Sequence, residues 1–221
     1  MNVSDAVAQR KSIRAFLDTP VDDAVIAELL EKAARAPSGG NVQPWRMYVV
    51  NGETTGKFLE FLQTSDIKDT PEYAIYPKDL TSPYRDSRFK VGEDMYALLG
   101  IPREDKAARF AHLARNYTFF DAPAGLFCFV DRQMGPPQWS DLGMFLQTFM
   151  LLAQEAGLDT CAQEAWAMRA NNVRHFVGAP DNLMLFCGIA LGHKNPEKPV
   201  NSLVSERAPL DEWATFVKKP G

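Results

Sequence analysis

The chain has 221 residues, enough to bury a sizeable core within one domain. Its 46% hydrophobic and 24% charged residues are ordinary for a globular protein, and a formal net charge of −4 argues against nucleic acid or an anionic membrane as main partner. No apolar run reaches the ~20 residues of a membrane span, and Met1 to Asp5 opens a polar segment unlike a signal peptide, so a cytoplasmic location is expected.

Residues 3 to 10 read as a short helix leading into Arg10-Lys11-Ser12-Ile13-Arg14-Ala15-Phe16. In an extended backbone Arg10, Ser12 and Arg14 share one face, while Ile13 and Ala15 turn inward. Two guanidiniums beside a hydroxyl suit a phosphate; a solvated basic cluster is the plainer alternative. Pro20-Val21-Asp22 opens a helix with Asp22 as N-cap, and Val25, Ile26, Leu29, Leu30 and Ala33 recur at helical spacing.

That helix runs into Ala36-Pro37-Ser38-Gly39-Gly40-Asn41-Val42-Gln43-Pro44-Trp45, where Pro37 stops it. Three neutral hydrogen-bonding side chains around two glycines give the turn the character of a ligand loop. Met47 to Val50 is a predicted strand, Asn51-Gly52 a turn, and Thr54 to Leu62 a helix. Over 66–122 the pattern loosens into polar and aromatic residues with two helical stretches, to Leu99 and from Arg103 to Tyr117. Such an excursion is either a lid or a peripheral helical hairpin.

Gly125 to Val130 is short and continuously apolar, as a buried strand is. Ser140 is the expected cap of a helix from Asp141 to Glu155, ended by Gly157. Its apolar residues spread over more than one face, which predicts burial on several sides, a subunit interface among them. Leu158 to Ala162 and Leu183 to Gly192 are strands, with a short helix at 171–177 between them. The segment 193–221 has only scattered apolar anchors and is expected to wrap around the body or a partner subunit. Cys128, Cys161 and Cys187 lack any metal spacing and read as small hydrophobes, and the three histidines give no ligand pattern, so no metal is expected.

Taken together, Arg10-Lys11-Ser12-Ile13-Arg14, the Pro37 to Trp45 loop, Gly157-Leu158 leading to Gln163-Glu164-Ala165, Gly188 and Gly192 at the last strand, and Arg207 resemble the FMN-dependent nitroreductase family. The section most like a specific branch resembles bacterial nitroaromatic and nitrobenzoate reductases. The resemblance implies an α+β fold with a mixed, mainly antiparallel sheet flanked by helices, assembled as an intertwined homodimer with FMN at the interface. It implies a single domain over 1–221, with 66–122 as variable lid and 193–221 as a partner-wrapping extension. Arg10, Lys11, Ser12, Arg14 and Arg207 would surround the FMN phosphate. Pro37, Ser38 and Gly39, supported by Asn41 and Gln43, would approach the ring from the partner. Gln163, Glu164 and Ala165 would border its pyrimidine side.

The implied activity is ping-pong transfer of hydride from NAD(P)H, by way of the flavin, to a small nitroaromatic or quinone, with no essential catalytic side chain. The absence of G-x-G-x-x-G and Walker sequences fits a visiting nicotinamide donor. A deiodinase-like reductive dehalogenase, drawing on Glu93, Tyr96 and Lys106, and a non-catalytic FMN-binding dimer are the alternatives. Arg85 and Arg88, beside Tyr84 and Phe89, are candidates for a carboxylated aromatic substrate.

Overall fold

The computed structural model describes residues 1–218; the last three residues of the expected extension lie outside the described residues. Four strands, β1 (Arg46–Asn51), β2 (Ala124–Asp131), β3 (Asp159–Gln163) and β4 (Leu183–Gly192), form one sheet in the order β1-β2-β4-β3. Every neighbouring pair is antiparallel. The parallel contribution is a bridge from Ser12 to Thr160, where Ile13 N–H donates to the Thr160 carbonyl at 3.0 Å.

Alternation along β2 divides the interior in two. Leu126, Cys128 and Val130 face one cluster with helices α2 (Asp23–Ala33) and α6 (Pro136–Glu155). Phe127 and Phe129 face the other, with Phe58, Phe119 and Trp166. On β4 the parity changes midway: Leu183 and Leu185 belong to the second cluster, Cys187, Ile189 and Leu191 to the first. Cys128 pairs with Cys187 but Phe129 with Leu185, so Phe186 is an extra residue, a β-bulge. The bulge keeps both halves of this apolar strand facing a core.

Asp22 caps α2, its Oδ1 accepting from Ala24 N–H at 2.8 Å. By contrast, α6 begins at Pro136, not at Asp141, and Ser140 lies inside it. Pro136 and Pro137 start the helix because the first turn has no internal use for their missing N–H groups. The earlier start places Asp141 in the second turn, where it is 4% exposed. The expected helix to Tyr117 is also shorter: α5 spans Lys106–Ala114, and Arg115–Asp121 tightens into a 3-10 segment. Phe119, Phe120 and Asp121 take positive φ there, which the complete burial of both phenylalanines sustains.

Helix α3 (Glu53–Thr64) follows β1, and α4 (Tyr84–Leu98) precedes α5; both α4 and α5 belong to the 66–122 excursion. Arg109 of α5 ties the pair together: its guanidinium grips Glu93 through two hydrogen bonds, 2.5 and 3.1 Å, and lies 4.2 Å from the centre of the Tyr96 ring. The stretch before α4 is anchored as well. Asp69 accepts from Asn171 and Asn172 N–H at the start of α7 (Ala170–Val177), and Glu72 holds Arg132 and Arg174.

After β4 the chain returns across the extended segment that follows its first helix. Asn201 Nδ2 donates to the Ala15 carbonyl at 2.8 Å, and its Oδ1 accepts from Arg14 N–H at 2.9 Å. Beyond it Trp213, Phe216 and Val217 are each at least 70% exposed, so these side chains find little cover among the described residues. No helix among the described residues is long and apolar enough to cross a membrane.

Candidate active site

A cavity of about 970 Å³ opens between the sheet and the α4–α5 pair. That volume is near the upper end for small-molecule and cofactor sites. Its walls gather residues remote in sequence: Arg14, the β3 end at Gln163-Glu164-Ala165, Phe186 at the bulge, and the inward face of α4 and α5. The bulge shapes one wall directly. The Tyr73 hydroxyl donates to the Phe186 carbonyl that the bulge leaves outside the ladder, and the two rings lie 6.3 Å apart. Burial pushes the Tyr73 pKa well above the ordinary phenol range, so this hydroxyl remains a donor.

The sequence-predicted residues divide into four groups. Arg14, Gln163, Glu164, Ala165, Arg85 and Arg88 all line the cavity. Arg10, Lys11 and Ser12 stay on the adjoining extended segment, outside the lining, where Ser12 pairs with Thr160 through the backbone alone. Arg207 folds back on its own neighbours, Nη1 donating to Ser205 Oγ at 2.8 Å and to the Glu206 carbonyl at 2.8 Å. The Pro37 to Gln43 loop lies elsewhere on the surface and does not line the cavity.

That loop is nevertheless built to one shape, by a residue the sequence reading used only as a helix start. Asp141 Oδ2 accepts from Ser38 Oγ at 3.0 Å and from Gly39 N–H at 3.1 Å. Ser38 Oγ accepts in turn from Gln43 N–H at 2.9 Å, and Trp45 stacks on Phe145, one helical turn from Asp141, at 4.8 Å. Gly40, Asn41 and Gln43 take positive φ between these anchors. The Ser38 hydroxyl is therefore committed to internal hydrogen bonds, and the loop presents Pro37, Gly39, Asn41 and Gln43 outward.

Gln163 is likewise spent on structure. Its Nε2 donates to the Asn116 carbonyl at 2.8 Å, and its Oε1 accepts from Trp166 Nε1 at 3.2 Å. It gives no side-chain cap to the 3-10 turn Glu164–Arg169, whose leading amides have no partner within the turn. Glu164 opens to the cavity, and desolvation raises its pKa above the ordinary carboxylate range. His112, 6% exposed and beside Arg14 and Arg115, has an Nε2 without a hydrogen-bond partner. Burial first, then Arg115 and Arg14, push its pKa down to about 4, so the imidazole is neutral at pH 7.

These features suit FMN. Arg14 has no carboxylate partner among the described residues and only the Ser12 carbonyl at 3.1 Å, which leaves its guanidinium available for a phosphate. Tyr73, Tyr76, Phe89, Tyr96 and Phe186 supply aromatic wall for a flat ring. A metal site is not indicated: no group of three potential ligands exists among the described residues. The three cysteines are buried free thiols, and burial raises all three pKa values, as expected for packing groups.

Comparison with known proteins agrees with this geometry. Residues 7–193 match the model of the Nitroreductase family. The chain is 35% identical over 219 residues to nitrobenzene nitroreductase of Ectopseudomonas oleovorans, covering 97% of this chain and 96% of that one. It is 36% identical over 212 residues to 4-nitrobenzoate reductase of Pseudomonas putida, covering 96% and 93%. The fold superposes with a TM-score of 0.93 on the FMN and NADPH-dependent nitroreductase NfnB of Sphigopyxis sp. strain HMH, at 47% identity and 99% and 100% coverage. It superposes with 0.90 on the FMN-dependent NfnB of Mycobacterium smegmatis solved with NADPH, at 26% identity and 98% and 100% coverage. The α+β frame, the cavity that joins Arg14 to the end of β3, and these matches along nearly the whole chain place the protein in the nitroreductase family.

Proposed function

We propose that the protein is an FMN-dependent NAD(P)H oxidoreductase that reduces small nitroaromatic acceptors. The observation that carries this reading is the meeting of Arg14 and Gln163-Glu164-Ala165, about 150 positions apart, around one aromatic cavity. Bound FMN supplies the capacity to accept a hydride from NAD(P)H and return two electrons to an acceptor. The chain's own residues bind and orient. Arg14, with Arg10, Lys11 and Ser12 behind it on the same extended segment, would hold the phosphate. The leading amides of Glu164 and Ala165 would meet the polar edge of the ring, and Tyr73 keeps the Phe186 wall in place. The Glu164 side chain opens to the cavity beside these amides.

The active unit in this reading is a cytoplasmic homodimer. The outward-facing Pro37, Ser38-anchored Gly39, Asn41 and Gln43 would close over the partner's flavin, and the exposed Trp213, Phe216 and Val217 would pack on the partner. Arg207, free of ion pairs among the described residues, would then reach the phosphate only once the tail is docked. Three buried free thiols accord with a reducing compartment. Arg88, whose guanidinium lies 3.9 Å from the centre of the Tyr76 ring, together with Arg85, would receive the carboxylate of a substrate such as 4-nitrobenzoate. A zwitterion site of the deiodinase kind is disfavoured, since Glu93 and Tyr96 are both engaged by Arg109.

Purified protein should be yellow, elute as a dimer, and oxidise NADH or NADPH only when 4-nitrobenzoate, nitrobenzene or a quinone is present. Protein that neither holds nor takes up FMN refutes the proposal.

A further inference from the structure

The chain is acidic overall, yet six cationic side chains and two carboxylates line its cavity. A cleft of one sign on a protein of the other focuses its field on an oppositely charged ligand. Three of the six are accounted for: Arg109 is matched by Glu93, Arg85 by Asp86 at 2.8 Å, and Arg14 faces the flavin phosphate in the reading above. Arg88 is stacked on Tyr76 where an aromatic acid would bind.

Arg103 and Lys106, in and just after the turn between α4 and α5, remain. Neither forms an ion pair among the described residues. The lining acid Glu93 is already held by Arg109, although both cations also lower its pKa. Asp105, between them in sequence, is spent capping α5, its Oδ1 accepting from Ala108 N–H at 2.9 Å. Lys106 occupies the first position of α5, where the helix dipole disfavours a cation. Arg103 is held by its stack on the Phe89 ring, 5.0 Å from the centroid. Both side chains belong to exposed residues, so they mark the outer part of the cavity.

We infer that Arg103 and Lys106 form a subsite for the 2′-phosphate of the dinucleotide donor and so make NADPH the preferred reductant. This rests on the reductase reading above. The nicotinamide must enter the cavity to reach the flavin, which leaves the adenosine end at the outer part. The 2′-phosphate is the dianion farthest from the nicotinamide, and it is the one group that distinguishes NADPH from NADH. An arginine fork and a lysine point charge are a suitable pair for it.

The test uses flavin-loaded protein and the variants Arg103→Ala, Lys106→Ala and Arg103→Glu, with FMN content as the check on folding. In the unaltered protein kcat/KM should favour NADPH over NADH by about tenfold or more, and each alanine should lower that ratio by about tenfold, the factor for ~1.4 kcal/mol. Calorimetric titration of oxidised protein should show 2′,5′-ADP binding more tightly than 5′-AMP, with the difference lost in Arg103→Glu. Equal losses for NADH and NADPH, or a change confined to the Michaelis constant for the nitroaromatic acceptor, would overturn the assignment. If neither donor reduces the flavin but 2′,5′-ADP still binds through Arg103 and Lys106, the subsite stands and the reductase reading fails.

Discussion

Asp141→Ala tests the link from the helix α6 interior to the Pro37–Gln43 loop. The carboxylate is almost fully buried and holds Ser38 Oγ and Gly39 N–H through one oxygen. Hydrogen bonds to a charged group contribute roughly 1.5–3 kcal/mol each, and water can replace part of that at the exposed Gly39. A net loss of about 3 kcal/mol in loop order follows, because Gly40, Asn41 and Gln43 then have fewer anchors for their positive-φ conformation. If this loop closes over the partner's flavin, FMN affinity should fall by about two decades. Asp141→Asn retains an oxygen at the same place for both donors and loses only the charge assistance, so it should cost about tenfold or less. Fluorescence quenching of FMN titrated into flavin-free protein gives the dissociation constants, and thermal unfolding separates loop from global effects. Wild-type FMN affinity in Asp141→Ala would refute the reasoning.

Other expectations follow from close packing and from titration. A Cβ at Gly188 would lie 2.2 Å from Trp166 Cδ1, and one at Gly125 2.1 Å from Phe119 Cζ, so either alanine should cost about 1–3 kcal/mol or more in thermal unfolding. Gly143→Ala on α6 meets nothing within 4 Å and should be neutral or stabilising. Tyr73→Phe strips the bulge carbonyl of its partner and should cost about 1–3 kcal/mol, read by denaturant unfolding, with flavin affinity reporting the altered wall. His112 has a folded pKa of about 4 against an ordinary 6.5. A depressed pKa means that its contribution is complete above pH 6.5 and is lost as pH falls toward 4. The loss has a slope of up to about 1.4 kcal/mol per pH unit. Unfolding free energies of His112→Phe across that window should lack this slope; an unchanged slope would place its origin elsewhere.

The sequence carried the frame of the molecule where pattern alone determines structure. Alternation and apolar runs located all four strands, and the Asp22 cap and the apolar spacing after it located α2. The α6 start was misplaced because Ser140 and Asp141 imitate a capping pair; the two prolines upstream were the better signal. The break after α5 was not visible, since its cause is the burial of Phe119 against Phe127 and Trp166 and of Phe120 beside His112, and not a local helix breaker. The bulge at Phe186 was equally hidden, because it depends on keeping both halves of β4 facing a core.

At the site, the family resemblance put Arg14 and Gln163-Glu164-Ala165 around one cofactor, and these residues line one cavity. What they could not convey is which side chains remain available. Ser38 and Gln163 look like ligand donors in sequence, yet both are consumed by internal hydrogen bonds. Asp141, Tyr73 and Arg109, which hold the surrounding parts in place, carry no local signature, because the elements they tie together include partners 13 or more positions away.

The central claim is tested most directly by an anaerobic half-reaction experiment on the purified, FMN-loaded protein. NADPH should bleach the visible flavin absorbance, and 4-nitrobenzoate added afterwards, with donor removed, should restore it at a rate that accounts for steady-state turnover. A flavin that NADPH and NADH both leave oxidised, or a bleached flavin that no nitroaromatic restores, would contradict the account.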